Sequence, residues 1–113
     1  MAAAKLIVIY PTPANLEAFE NAYSTQHIPM AAPIFEAAGA TKVVLTLISG
    51  AASGPAPFHR IAEIHFASLQ ALNACAASQG GRDALADAAR ISNGGAPIVL
   101  IGTEDVVTFA GGR

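Results

Sequence analysis

Hydrophobic residues recur along the chain with two alternating spacings, one typical of strands and the other of helices. Short runs dense in Val, Ile and Leu lie at 5–10, 42–49 and 98–101, and residues 58–67 alternate between apolar and polar positions. Between these runs, apolar side chains recur every three or four residues after Asn15 and after Ser68, two residue types that favour helix N-caps. The pattern predicts the order β-α-β-β-α-β.

The first helical region is predicted to break. Leu16, Phe19, Tyr23 and His27 form one helix face, but Pro29 disfavours helical geometry at the preceding residue. We therefore expect the helix to end near His27 and a second short helical piece to cover 30–38.

Two further irregularities are expected in the second half of the chain. Gly80 and Gly81 interrupt the second helical region, which resumes at 83–91. The last strand is predicted to continue past a bulge at Gly102 and to include 106–109.

This order predicts an α+β fold of the ferredoxin-like type, in which a four-stranded antiparallel sheet carries helices on one face. We assign residues 1–113 to one domain. The first, second and fourth strands are apolar on both sides, so a monomer would leave the second sheet face wet. We expect a homodimer in which these strands are buried on both faces.

The amino-acid composition and charge of the chain exclude several classes of protein. The chain has 113 residues, of which 53% are hydrophobic and 12% charged, with a formal net charge of −2. Such a composition is the reverse of the disorder signature, and the scattered basic residues form no nucleic-acid footprint. No apolar run is long enough to span a membrane. The single Cys75, expected to be a buried apolar residue, indicates a reducing compartment, and we expect a cytoplasmic protein.

Tyr23 and His27 form the first group of candidate functional residues. They lie four residues apart, on the same helix face, and a helix C-terminus favours protonated histidine. A histidine at a break that opens a pocket suits proton transfer. Tyr10, at the end of the first strand, is a second phenol that could reach the pocket. The alternatives are that His27 only caps the helix and that both tyrosines are packing residues.

His59, Glu63 and His65 form the second group, on one face of the third strand. The ends of this group lie about 20 Å apart along a strand, which is too far for one metal ion. Glu63 and His65 alone are fewer ligands than a usual zinc site needs. They could orient His27 if the strand faces the same cavity. Otherwise they are polar lining of an interface, joined by a hydrogen bond.

Cofactor motifs are missing from the sequence. Glycine pairs at 80–81, 94–95 and 111–112 do not sit in a strand–glycine loop–helix context that cradles phosphate. The three histidines lie on two elements, and His27 is the one that could serve haem as a proximal ligand. We expect no tightly bound metal, flavin or haem.

Several segments together resemble the EthD family, named for ethyl tert-butyl ether degradation, within the dimeric α+β barrel superfamily. They are Lys-Leu-Ile-Val-Ile-Tyr-Pro at 5–11, the Tyr23-x-x-x-His27-x-Pro29 element, Ala-Glu-Ile-His-Phe at 62–66 followed by Ser68 and Leu69, and Gly-Thr-Glu at 102–104. The resemblance covers nearly the whole chain. It implies two ferredoxin-like sheets packed face to face as a barrel, with helices outside.

The resemblance also implies a small pocket near His27, the one position carried over as a candidate catalytic residue. Members of the family are often labelled reductases, and some similar proteins are cofactor-free isomerases that act on lactones. We expect cofactor-independent proton transfer on a small, largely apolar, oxygenated compound, with His27 as acid or base and Tyr23 or Tyr10 as hydrogen-bond donor. The alternative is a non-catalytic protein that binds an apolar metabolite in a redox degradation pathway.

Overall fold

A computed structural model describes residues 2–111 and contains the predicted order of strands. Four strands form one antiparallel sheet in the order β2-β3-β1-β4. Two helical regions connect them, each made of two helices. In chain order the elements are β1 (Ala4–Pro11), α1 (Leu16–Ala22), α2 (Ile28–Ala37), β2 (Lys42–Leu47), β3 (Phe58–Phe66), α3 (Leu69–Ala77), α4 (Gln79–Ile91) and β4 (Ile98–Thr103).

The core lies between the helices and the two central strands. Alternate residues of β1 are buried towards the helices, and their partners on β3 share that face because paired residues of an antiparallel ladder point the same way. From the helices, Phe19, Phe35 and Leu72 complete the core. The ferredoxin-like α+β architecture is confirmed.

The predicted helix break before Pro29 is wrong. Residues 23–27 form a π-helical turn that joins α1 to α2 without interruption. The N–H of Ile28 bonds the carbonyl of Tyr23, five residues back, and Pro29 then occupies the first turn of α2. A proline is tolerated there because the first turn needs no N–H donor.

The second helical region breaks at Ser78, whereas the sequence predicts an interruption at Gly80 and Gly81. The Ser78 side chain accepts from the N–H of Gly81 and so caps α4, while its own N–H bonds Cys75. Gly81 lies in the first turn of α4, where an added Cβ would collide with the Cys75 carbonyl. Glycine is needed here for close approach of the two helices.

The last strand ends at Thr103, so the prediction that it includes residues 106–109 is wrong. Residues 104–111, named here the C-terminal arm, follow β4 without strand structure. Val106, Val107 and Phe109 are 74%, 75% and 78% exposed. The arm contains residue types that favour strands, but it pairs with no strand among the described residues.

The sheet surface opposite the helices, named here the outer face, is apolar and uncovered in the protomer. Ile7, Ile9 and Ile61 occupy its centre, Val44 one side, and Ile98 and Leu100 the other. Leu100 is 48% exposed. The edge strands β2 and β4 are exposed along nearly their whole length, so burial of these strands on both faces requires a partner.

Candidate functional site

An apolar cavity lies between the sheet and the helices α2 and α4. Its volume is about 110 Å³. Val8 and Ala62 belong to its sheet wall, and Ala31, Ala84 and Ala88 to its helical wall. Two polar side chains, Tyr10 and His27, are part of the lining. We call it the His27 cavity.

His27 is buried at 6% exposure and contacts two side chains through its two ring nitrogens. Nδ1 lies 2.9 Å from Oδ2 of Asp87 on α4. Nε2 lies 3.4 Å from the hydroxyl of Tyr10 on β1. The alternative that His27 only caps the helix does not fit these contacts, because its ring makes no capping hydrogen bond and joins two other elements.

Asp87 is held as a carboxylate. The Arg90 guanidinium, whose Nε donates to Asp87 Oδ1 at 2.7 Å, is the largest cause of a lowered pKa for this carboxyl, and the hydrogen bond with His27 lowers it further. Arg90 is itself fixed by a 3.1 Å bond to Gln26, next to His27. A carboxylate at Nδ1 favours the tautomer in which Nδ1 carries the proton and Nε2 presents its lone pair.

The two tyrosines are placed differently. Burial raises the pKa of Tyr10, so its hydroxyl stays protonated at neutral pH and can donate to Nε2. Tyr23 stacks on His27, with ring centroids 6.1 Å apart, but does not line the cavity. Its hydroxyl is buried and has no hydrogen-bond partner among residues 2–111, and burial raises the pKa of Tyr23 to about 12.

The π-helical turn sets the position of His27. The turn inserts one extra residue per hydrogen-bonded ring, and such turns are frequent at functional sites. His27 is its last residue, so the imidazole enters the cavity beside Ile28 at the start of α2. A base at Nε2, a phenol donor and a dry apolar wall thus meet at one point, an arrangement that can move a proton.

Glu63 and His65 lie on the outer face, opposite the His27 cavity. Their Cα partners on β1 are Ile7 and Lys5, both on that face. The predicted Glu63–His65 bond is absent from the described contacts. Glu63 instead accepts from Lys5 at 2.7 Å, and His65 lies 3.7 Å from Glu104. Neither residue can orient His27 within this protomer.

His59 does not share the outer face with Glu63, contrary to the predicted alternation. The β1–β3 register skips one residue, pairing Tyr10 with Arg60 and Pro11 with Phe58. This bulge turns His59 to the helix side, where Nε2 lies 3.0 Å from Glu20 on α1. Arg60 binds both oxygens of the same carboxylate, at 2.7 and 3.1 Å.

Asp87 is a candidate site residue that no pattern in the sequence indicates. It is sixty positions from His27, and its helical spacing alone does not show that it faces the imidazole. Within residues 2–111, no three His, Cys, Asp or Glu side chains converge as a metal site. None of the described helices is long and apolar enough to cross a bilayer.

The chain is similar to proteins of one known family. Residues 12–95, more than half of the chain, match the family model described as the EthD domain. An ethyl tert-butyl ether (EthD) family protein of Bacillus halodurans has 25% identity and a TM-score of 0.81, over 91% of this chain and 99% of its own. No protein with a curated description matches the sequence.

Two more solved structures share the fold. An EthD-like protein of Ralstonia eutropha is 21% identical, with a TM-score of 0.70 over 97% of each chain. A dimeric ferredoxin-like protein of unknown function from Jannaschia is 13% identical, with a TM-score of 0.66 over 91% of this chain and 99% of that one.

Proposed function

The chain belongs to the EthD family, and we propose that within it this protein is an enzyme of cofactor-independent proton transfer. Its substrate is a small, largely apolar, oxygenated compound. His27 is the acid or base, Tyr10 the hydrogen-bond donor and Asp87 the residue that orients His27. Tyr23 stacks on the imidazole and takes no direct part.

One observation carries this proposal: His27 lies between a carboxylate at Nδ1 and a phenol at Nε2, on the wall of an apolar cavity. A histidine kept only for packing needs no such pair of partners. A low-polarity surrounding also strengthens the electrostatic interactions of the charged groups that form during proton transfer.

The proton balance of the reaction is simple. Nε2 removes a proton from a carbon next to a carbonyl group, and the electron pair of the C–H bond moves onto the carbonyl oxygen. Tyr10 stabilises that oxygen by donating its O–H, while Asp87 stabilises the imidazolium. The imidazolium exchanges its proton with solvent and returns a proton to the same carbon, which replaces the original hydrogen. Where a C=C double bond is conjugated with the enolate, the proton returns to the far carbon of that system and gives an isomer. Either step restores neutral His27. No oxidant or reductant is consumed.

The cavity limits the size of the ligand. An engineered cavity of about 150 Å³ accommodates benzene, so a cavity of about 110 Å³ suits a single small ring or a branched group of similar size. With Tyr10 and His27 as its polar lining residues, the ligand needs one oxygen placed near them and an apolar remainder. Small cyclic ketones and lactones meet this description.

Deuterium exchange tests the proposal without knowledge of the product. Small cyclic ketones and lactones are incubated with the protein in D2O, and NMR follows deuterium uptake next to the carbonyl carbon. We expect catalysed exchange, and His27→Ala should lower its rate about 10²- to 10⁴-fold. His59→Gln is the matched control, a second histidine bonded to a carboxylate but outside the cavity, and it should keep the rate.

If His27→Ala catalyses exchange at the wild-type rate, His27 has no role in the mechanism. Binding of these compounds without exchange would instead favour the second candidate function, a non-catalytic binding protein in a degradation pathway. The almost wholly apolar lining of the cavity is the observation that favours this alternative.

The second part of the proposal is a cytoplasmic homodimer in which two outer faces pack together as a barrel. The apolar outer face and the two free edge strands support it, because exposed apolar edges are ordinarily covered in native proteins. The Jannaschia relative with the same fold is described as dimeric. Light scattering at micromolar concentration tests the assembly.

A further inference from the structure

The C-terminal arm is rich in strand-forming residues and buries none of its large apolar side chains. Its sequence from 104 to 110 is Glu-Asp-Val-Val-Thr-Phe-Ala. Valine, threonine and phenylalanine favour extended structure, yet Val106, Val107 and Phe109 all lie in solvent. Three exposed apolar side chains within four residues indicate a binding surface that the protomer alone leaves unoccupied.

An open cleft lies at the other edge of the sheet, between α2 and the start of β2. Its volume is about 300 Å³, and Pro33, Glu36 and Thr41 are among its lining residues. We call it the edge cleft. Ala32 and Val43 line both the edge cleft and the His27 cavity, so the two spaces are adjacent. Both shared residues are exposed, so the cavity is open along the wall that they form, and an occupant of the edge cleft would cover that wall.

The arm and the edge cleft lie at the same end of the sheet. Thr103, the last residue of β4, pairs with Ala4 of β1, which pairs with Phe66 of β3. Lys42, the first residue of β2, pairs with His65, the neighbour of Phe66. At this end of the sheet, the arm begins beside β4 at one edge, and the edge cleft lies beside β2 at the opposite edge.

The direction of the two-fold axis in a face-to-face dimer determines whether the arm of one copy lies near the edge cleft of the other. When two sheets close face to face about an axis parallel to their strands, β4 of each copy comes beside β2 of the other, and the ends of the sheets stay level. The beginning of each arm then lies next to the edge cleft of the partner. An axis perpendicular to the strands would place β4 beside β4 and separate the arm from that cleft.

We infer that the C-terminal arm of one copy occupies the edge cleft of the other and closes the open side of its His27 cavity. The partner thereby completes each site. An arm of eight residues spans up to about 26 Å when extended, so it can cross the cleft beside it. The inference rests on the homodimer in the proposed function. It requires that the two-fold axis of that dimer lies parallel to the strands.

Cross-linking between two differently tagged copies tests this placement. The single native cysteine is replaced by Cys75→Ala, and one copy then carries Glu36→Cys in the edge cleft while the other carries Phe109→Cys in the arm. A short bismaleimide should link the two copies when they are mixed. Leu16→Cys, exposed on α1 away from the edge cleft, replaces Glu36→Cys in the matched control and should give no link.

The possible results distinguish a wrong placement of the arm from the absence of the homodimer. A mixed link between Glu36→Cys and Phe109→Cys, absent with Leu16→Cys, supports the inference. Links between two Phe109→Cys arms, or none in a sample that light scattering shows to be dimeric, overturn the inference and leave the homodimer standing. A chain with both cysteines that links only within itself shows that the arm closes its own cleft, which also overturns it. A monomer overturns the homodimer as well.

Discussion

At the scale of single residues, Asp87 determines which nitrogen of His27 presents its lone pair, and in the proposed mechanism that nitrogen is the base. Its carboxylate accepts a hydrogen bond from Nδ1–H, and Arg90 keeps it ionised by lowering its pKa. The lone pair of Nε2 therefore faces Tyr10 and the cavity. An asparagine at this position could donate its own N–H to Nδ1 and favour the opposite tautomer.

We expect Asp87→Asn to lower the exchange rate about 10²- to 10⁴-fold, because both the tautomer and the stabilisation of imidazolium are lost. NMR exchange rates at saturating and low substrate concentration measure the effect, which should lie in kcat more than in KM. Asp87→Glu should recover part of the rate. Equal kcat in Asp87→Asn and the wild type would refute this role for Asp87.

The sequence indicates some of the candidate site residues and misses others for physical reasons. His27 and Tyr10 are predictable, since one lies near a proline in a helix and the other at the end of a strand. Asp87 becomes a site residue only when α4 packs beside the π-helical turn, a tertiary contact with no local signal. Glu63 and His65 alternate correctly along β3, but periodicity does not say which face of the sheet holds the cavity.

At the scale of elements, hydrophobic spacing predicts the order of strands and helices, and the errors fall at their junctions. Pro29 predicts the end of a helix. In the structure it follows the π-helical turn and lies in the first turn of α2, where a missing N–H is tolerated. The glycines at 80–81 are read as a break, but Gly81 is needed for close packing against the Cys75 carbonyl. The arm has strand-forming residues but no neighbouring strand among residues 2–111 of its own chain.

A charged contact joins α1 to the bulge of β3 and makes stability depend on pH. Arg60 is the largest cause of a lowered pKa for Glu20, and the hydrogen bond with His59 lowers it further. A carboxyl whose pKa is lowered by folding stabilises the protein above its unfolded value, near 4.5, and that contribution is lost as the pH falls through the folded value.

Arg60→Gln should therefore lower the melting temperature at pH 7 and make its decline between pH 5 and 3 less steep. Arg82→Gln is the matched control, because Arg82 is exposed on α4 and bonds only Gln79 and the carbonyl of Ala77 among the described residues. Calorimetry across this pH range checks both variants. Parallel curves for Arg60→Gln and the wild type would show that the contact contributes nothing to the pH dependence.

At the scale of the whole molecule, the protomer has one well-packed half and one exposed half. Two helical regions cover the inner face of the central strands, while the outer face and both edge strands remain apolar and accessible. Lys5, Glu63 and Glu104 form the charged part of the outer face, with ion-pair distances of 2.7 and 3.9 Å from the Lys5 ammonium. Packing two such faces together would bury apolar surface and keep these charges paired.

A charge placed at the centre of the β4 part of the outer face should prevent this association. Leu100 pairs with Ile7 and is about half exposed, so Leu100→Asp leaves the protomer core intact but would bury an unpaired carboxylate in the dimer. Burying an unpaired charge costs several kcal/mol, enough to weaken a micromolar dimer by at least about a hundredfold. Leu16→Asp, an equally exposed leucine on α1, should remain dimeric. Light scattering and sedimentation at several concentrations would distinguish the variants, and a Leu100→Asp protein that dimerises like the wild type would place the interface elsewhere.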